Sequence, residues 1–319
     1  MLEDEMGRGG IDRRVFVAGM SAGLALAPQA GAADQDPSLT FLAIGDWGQQ
    51  GSAMQRQVAE AMGSLAQEHS SRFVLSAGDN FYPAGVSSTA DVHWRRSFED
   101  VYTAPALQTP WFSALGNHDY RGDVQAQIDY SRLSRRWRMP SRYFKIAGTD
   151  VGAAFVDLFV LDTSPMVDDG NYDELFQQLA HGHHAKHDAT QQMAWLDQAL
   201  SASSARWKIV VGHHPVYSGG HGDSPNLVRD LAPMLETHGV QLYINGHDHS
   251  LQHIRRGSID YVCTGSGAEA NDKLRSVQGT FHASSTPGFA LFRVDPDNLA
   301  FEFRDHTGAG VYRAFRRLS

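Results

Sequence analysis

Residues 73–82 read Phe-Val-Leu-Ser-Ala-Gly-Asp-Asn-Phe-Tyr: a short apolar run that ends in Gly78-Asp79-Asn80-Phe81-Tyr82. The same arrangement occurs at four other places. Leu39–Ile44 runs into Gly45-Asp46-Trp47-Gly48, and Trp111–Ala114 runs towards Gly116-Asn117-His118-Asp119. Lys208–Val211 runs into Gly212-His213-His214-Pro215, and Leu242–Ile244 leads to Gly246-His247-Asp248-His249. Apolar runs this short, bounded by glycine, read as buried strands. Ligands of an open α/β sheet bind at the carboxyl ends of its strands. Five such ends that deliver Asp, Asn, His and Tyr therefore describe one polar site. A single such motif is weak, because Asp and Asn after a strand usually serve as turn residues or helix caps. Five in succession, each after a strand, are specific.

The segments between these strands have helical patterns. Ser52 opens one helix, with Gln55 three residues later as a capping box. Asp91–Tyr102 and Thr190–Ser201 look helical, and Ser224-Pro225 is an N-cap and first-turn pair for a helix that reaches about His238. Val156–Leu161 adds a further strand. The alternation indicates an α/β sandwich. From Leu251 onwards the pattern changes to strands near 251–255, 259–264, 288–294, 298–305 and 311–316, joined by Gly, Pro and Asp turns. These are expected to be mainly antiparallel and to belong to a second sheet. Met166–Asp188, with His181, His183, His184 and His187, reads as a solvated loop, as does Gly265–Pro287. No internal repeat is visible.

With 319 residues, 42% of them hydrophobic, the chain has ample material for a core. A net charge of −9 argues against a nucleic-acid coat or a polybasic membrane binder. The single cysteine, Cys263, excludes an internal disulfide framework and a Cys-rich zinc module; it reads as an inert buried thiol. Sixteen histidines are the unusual number, and they point to nitrogen ligands or acid–base chemistry. At the N-terminus, Arg13-Arg14 precedes the uncharged run Val15–Ala27 and the small residues Ala30-Gly31-Ala32. That run is shorter than the roughly 20 residues a spanning helix needs. A basic start, a short apolar core and a small-residue cleavage site describe a signal peptide over residues 1–32, and the paired arginines resemble the bacterial twin-arginine type. Asp12 stands where that pattern usually has Ser or Thr. The expectation is export by the twin-arginine machinery to the periplasm or beyond. Residues 33–319 would form one catalytic domain with no membrane attachment.

Carboxylate, amide oxygen and imidazole without thiolate suit Zn, Mn or Fe. The candidates exceed four, which means two ions, or one ion and several idle donors. Two close cations need an anionic bridge, and such a pair can clamp the attacking and leaving oxygens of a phosphoryl displacement.

These motifs resemble those of the calcineurin-like metallophosphoesterases, and within them the purple acid phosphatases of the small, tartrate-resistant type. The pattern D-x-G, G-D-x-x-Y, G-N-H-D/E, V-x-x-H and G-H-x-H is matched by Asp46–Gly48, Gly78–Tyr82, Gly116–Asp119, Val210–His213 and Gly246–His249. The resemblance covers about Leu39 to Phe315. It implies a four-layer α/β/β/α sandwich of two mixed sheets flanked by helices. It also implies a first metal held by Asp46, Asp79, Tyr82 and His249, and a second held by Asp79, Asn117, His213 and His247, with Asp79 as the bridge. His213 is preferred to His214 because the V-x-x-H spacing counts from Val210. Gly48 stands where many relatives carry a histidine ligand, and Tyr82 would replace it with a phenolate that favours Fe(III); the second ion would be Fe(II), Zn or Mn.

By the same resemblance, a metal-activated hydroxide would attack phosphorus, and His118 and His221 would assist the leaving group. Asp119 would orient His118 or bind no substrate at all. Trp47 would line the pocket or fill a loop, while His214 and His253 read as hydrogen-bonded structural histidines. The implied activity is an acid phosphatase acting on small phosphate monoesters rather than on nucleic acid. A phosphodiesterase on the same metal pair is the first alternative, and a periplasmic metal-binding protein is the second.

Overall fold

The computed structural model of the chain describes residues 38–167, 185–270 and 273–318. The expected signal segment 1–32 lies outside the described residues, as do His181, His183, His184 and the side chain of His187. Among the described residues, fourteen strands follow one another along the chain. They begin with β1 (Leu39–Ile44), β2 (Val74–Ser76), β3 (Trp111–Ser113), β4 (Trp137–Arg138), β5 (Phe144–Ile146), β6 (Val156–Val160) and β7 (Trp207–Val211). They continue with β8 (Leu242–Asn245), β9 (Leu251–Arg256), β10 (Ile259–Thr264), β11 (Thr280–Ser284), β12 (Gly288–Val294), β13 (Asn298–Asp305) and β14 (Gly310–Arg317).

β1 is buried at every position, as a strand covered on both faces must be. It is central to a seven-stranded sheet in the order β14-β13-β12-β1-β2-β3-β4. The second sheet also has seven strands, in the order β11-β9-β10-β8-β7-β6-β5. β1, β2 and β3 run parallel in the first sheet, and β6, β7 and β8 run parallel in the second. Each group therefore presents its carboxyl ends on one side of its sheet.

Three apolar clusters make the layers. One lies between the sheets and joins Phe41, Phe73, Val160, Ile209 and Phe292. A second covers the outer face of the first sheet, where α1 (Ala53–Glu68) packs Val58, Met62 and Leu65 against Leu42 and Ile44. The third covers the outer face of the second sheet, where Leu196 and Leu200 of the helix Ala185–Ser201 meet Phe159 and Val210. This is the expected α/β/β/α sandwich. Among the described residues no helix is long and apolar enough to cross a membrane.

α1 starts as the sequence implies, with one adjustment. The Ser52 hydroxyl accepts from the Gln55 backbone N–H at 3.2 Å, but the Gln55 amide oxygen accepts from Gly51 N–H at 2.7 Å, one residue before the cap. Gln55 also donates to the Ser97 carbonyl at 2.7 Å, which ties the helix start to the next segment.

The structure corrects the expected placement of the strands after Leu251. Only β9, β10 and β11 join the second sheet; β12, β13 and β14 belong to the first, because β12 pairs antiparallel with β1. β11 falls inside the stretch 265–287 read as loop. Its residues are half-exposed at a sheet edge, so they carry no apolar run to signal a strand. β4 and β5, two and three residues long, are too short to show a period. The helix that ends at Ser201 begins at Ala185, inside the stretch 166–188 also read as loop.

Candidate metal centre

The five polar turns at the strand ends converge. The Tyr82 hydroxyl lies 2.8 Å from Asp46 Oδ1, 2.8 Å from Asp79 Oδ2 and 3.2 Å from His249 Nε2. His249 Nε2 is 3.5 Å from Asp46 Oδ1. Beside this group, Asn117 Oδ1 lies 3.0 Å from His213 Nε2 and 3.1 Å from His247 Nδ1. Asp79 Oδ2 is 3.5 Å from His213 Nε2 and so belongs to both groups. Ligands at roughly 2.0–2.2 Å from an ion are separated from one another by about 2.8–3.5 Å around it. Both groups have this spacing, so the residues fit two cations that share Asp79.

Charge makes the same point. Burial first, then the Asp46 and Asp79 carboxylates, push the Tyr82 phenol well above its ordinary value. Two buried carboxylates and a phenolate in mutual contact need positive charge among them. Burial would also raise Asp79, but His213, His118 and the His118 backbone N–H outweigh it and hold the carboxyl below its ordinary value. His247 is pushed down to about 3 by burial and by His213, which leaves a neutral imidazole of the kind that binds metal.

Backbone contacts aim these side chains. His213 Nδ1 donates to the Ala77 carbonyl at 2.9 Å, which leaves Nε2 with its lone pair toward Asn117. Asp79 Oδ1 accepts from His118 N–H at 2.8 Å, and Asp46 Oδ2 accepts from His247 N–H at 2.9 Å. Asp46, Asp79 and His247 all have positive φ, at 57°, 50° and 69°. Left-handed backbone at three non-glycine residues is costly and gathers at functional sites. At Gly48 a Cβ would lie 1.8 Å from the Asn80 carbonyl oxygen, so this close approach of two backbone segments excludes a histidine there. At Gly116 a Cβ would lie 2.1 Å from Asp79 Oδ1, inside the shared ligand.

All seven sequence-predicted ligands (Asp46, Asp79, Tyr82, Asn117, His213, His247 and His249) are thus brought together. His118 and His221 flank them: the His118 ring is 4.5 Å from that of Tyr82, and the His221 ring is 4.9 Å from that of His247. His118 Nδ1 donates to the Pro83 carbonyl at 2.8 Å, and His221 Nδ1 lies 3.1 Å from Asp248 Oδ1.

Asp119 does not touch the His118 ring. It is fully buried and accepts from Asn80, Gly116 and Gln127, and burial, then Asp79, raise its carboxyl to about 7. Trp47 fills the interior: its indole N–H donates to Ser76 at 2.8 Å amid Phe98, Tyr102 and Trp111. His253 is structural, bonded to Asp260 and Tyr312, and the Cys263 thiol is buried.

His214 needs a finer account. One of its nitrogens lies within 4.8 Å of nitrogens of His213 and His247. Its Nδ1 is 2.9 Å from Thr163 Oγ1, which already accepts the N–H groups of His213 and His214. The Thr163 hydroxyl proton is therefore directed at Nδ1, and the neutral ring carries its own proton on Nε2. This makes His214 a donor rather than a ligand.

Thr163 and Asp248 are the members that the sequence reading missed. Thr163 stands after β6 with no motif to mark it. Asp248 occupies the middle of Gly246-His247-Asp248-His249, and it accepts from Ser218, Gln252 and His221.

A family model described as calcineurin-like phosphoesterase matches residues 39–251. Purple acid phosphatase 3 of Arabidopsis thaliana is 42% identical over 246 residues, which span 74% of this chain and 64% of that protein. Tartrate-resistant acid phosphatase type 5 of Oryctolagus cuniculus is 35% identical over 298 residues, 87% of this chain and 90% of that one. The solved structure of purple acid phosphatase PPD1 from yellow lupin (Lupinus luteus) seeds shares the fold, with a TM-score of 0.63 at 13% identity over 88% of this chain and 53% of that chain. The chain belongs to the calcineurin-like phosphoesterases and, within them, to the purple acid phosphatases: it is a metal-dependent phosphoester hydrolase.

Proposed function

We propose that this chain is an exported acid phosphatase that hydrolyses small phosphate monoesters, with Fe(III) beside Tyr82 and Fe(II), Zn or Mn beside Asn117. The observation that carries the proposal is the Tyr82 hydroxyl held 2.8 Å from both Asp46 and Asp79. A phenol so placed becomes a hard anionic donor when a trivalent ion balances its charge. Bound at these residues, the two ions supply Lewis-acid stabilisation of charge on the phosphoryl oxygens.

The protein's own groups do the rest. His118 and His221 each commit Nδ1–H, to Pro83 O and to Asp248 respectively, so a proton passed to the substrate would come from Nε2. An imidazolium at either position protonates the departing alkoxide. Asp248 positions His221 and stabilises its charged form. The net charge of −9 repels long polyanions, which favours small esters over nucleic acid. Residues 1–32 fit a twin-arginine signal, so export to the periplasm or beyond would follow folding and metal loading. Arg13→Lys with Arg14→Lys would then retain the full-length chain in the cytosol.

Initial rates on p-nitrophenyl phosphate and on its bis ester, from acid to mildly alkaline pH, test the activity. The expected result is faster monoester cleavage with an acid optimum. Faster diester cleavage, best at neutral or alkaline pH, would replace this reading with a phosphodiesterase.

A further inference from the structure

Both sheets end on short strands, β4 in the first and β5 in the second. Near these ends a cleft of about 710 Å³ opens beside the layer between the sheets. Its floor includes Phe112, Met139, Phe144 and Ile146, of which Phe144 and Ile146 belong to the inter-sheet core. Its rim carries Arg132, Arg135, Arg138 and Lys145 against the single carboxylate of Asp150. None of the metal-centre residues lines it.

Four cations around one apolar cleft run against a chain whose net charge is −9. Two of them are already committed: Lys145 pairs with Asp157 at 2.7 Å, and Arg132 pairs with Asp129 at 3.0 Å. Arg138 instead donates to the backbone carbonyls of Ser134 and Trp137, each at 3.0 Å, contacts that hold the guanidinium in place without neutralising it. Arg135 is exposed and makes no ion pair among the described residues. Leu133, 67% exposed, stands on the same rim.

We propose that this cleft binds a small amphiphilic anion, with its apolar body on the Phe112–Phe144 floor and its anionic head at Arg135 and Arg138. The cleft volume is that of a small-molecule site, and apolar walls with a few fixed charged groups are how such sites work. Charge complementarity selects the anion, because a guanidinium binds carboxylate, sulfonate or phosphate through paired N–H donors. The overall negative charge disfavours docking on an anionic membrane, so the occupant is a free molecule rather than a lipid surface.

The probe is 1-decanesulfonate below its micellar concentration, titrated calorimetrically into the metal-loaded protein in phosphate-free buffer. One site is expected. 1-Butanesulfonate should bind more than about tenfold more weakly, because less apolar surface is buried. Arg135→Gln with Arg138→Gln should weaken decanesulfonate at least about tenfold by removing charge-assisted hydrogen bonds. Leu133→Glu, an exposed change that leaves the fold intact, should weaken it in the same direction through repulsion. Hydrolysis of p-nitrophenyl phosphate should stay unchanged in both variants. Equal affinity for the two sulfonates, unchanged affinity in the variants, or binding to phosphatidylglycerol vesicles but not to the monomeric probe would each overturn the proposal.

Discussion

The two sheets contribute unlike halves of the metal centre. The first, through the turns after β1, β2 and β3, brings Asp46, Asp79, Tyr82 and Asn117, all oxygen donors. The second, through the turns after β7 and β8, brings His213, His247 and His249, all nitrogen donors. The halves differ in charge: one gathers carboxylates and a phenol, the other gathers imidazoles. The centre therefore depends on packing the sheets face to face, and Asp79, 3.5 Å from His213, is the carboxylate common to both groups.

The comparison can be broken most severely at that junction. Asp79→Ala removes a ligand common to both groups. Single supporting contacts of a metal site are worth about 10–100-fold, so losing a shared ligand should cut kcat/KM by more than about a thousandfold. Metal content, measured by elemental analysis, should fall at both positions. Full activity with two ions bound would refute the bridge.

Gly48→Ala disturbs the oxygen half while keeping every ligand. Its Cβ would meet the Asn80 carbonyl at 1.8 Å, so unfolding stability should drop by about 3 kcal/mol. Urea denaturation measures this, and an unchanged midpoint would mean that the two turns do not approach so closely.

A smaller effect is expected at the seam between the sheets. Asp260 of β10 accepts from His253 and Arg255 of its own sheet and from Arg316 of β14, in the other sheet. Burial raises its carboxyl, but His253, Arg255 and Arg316 outweigh this and bring it from 3.8 to about 2. A folded value below the unfolded one stabilises the protein above the ordinary carboxylate range. That contribution, about 2 kcal/mol, is lost as pH falls through about 2. Asp260→Asn should remove it at neutral pH and flatten that part of the stability profile between pH 5 and pH 2. A variant with the wild-type pH dependence would show that the seam carries no such energy.

Smallest of all, Tyr82→Phe keeps both carboxylates and all the imidazoles. It should lower kcat by about tenfold, abolish any phenolate-to-iron absorption and reduce the preference for Fe(III). Visible absorption equal in the variant and the wild type would assign that band to another group.

The ligand types were legible in the sequence because each follows a buried strand and a glycine, where local pattern and function coincide. β11, β4 and β5 were not legible, since half-exposed or very short edge strands carry no apolar period. The destination of β12–β14 escaped for a related reason: a strand's own residues specify that it pairs, not which sheet it joins. Asp119 shows the same limit. Its place beside His118 leaves open whether it orients that ring, whereas its hydrogen bonds turn it toward Asn80 and Gln127; His214 is hydrogen-bonded to Thr163, as its reading as a structural histidine implied.

The sequence by itself determined the donor set and the order in which strands deliver it. The tertiary structure decided the pairing of donors, the exclusion of a side chain at Gly48, the support of His221 by Asp248 and the basic cleft near β4 and β5. The reason is distance along the chain. A strand and its turn are written in a few consecutive residues, but the bond from His247 N–H to Asp46 joins residues 201 apart. Such contacts exist only after both sheets have packed.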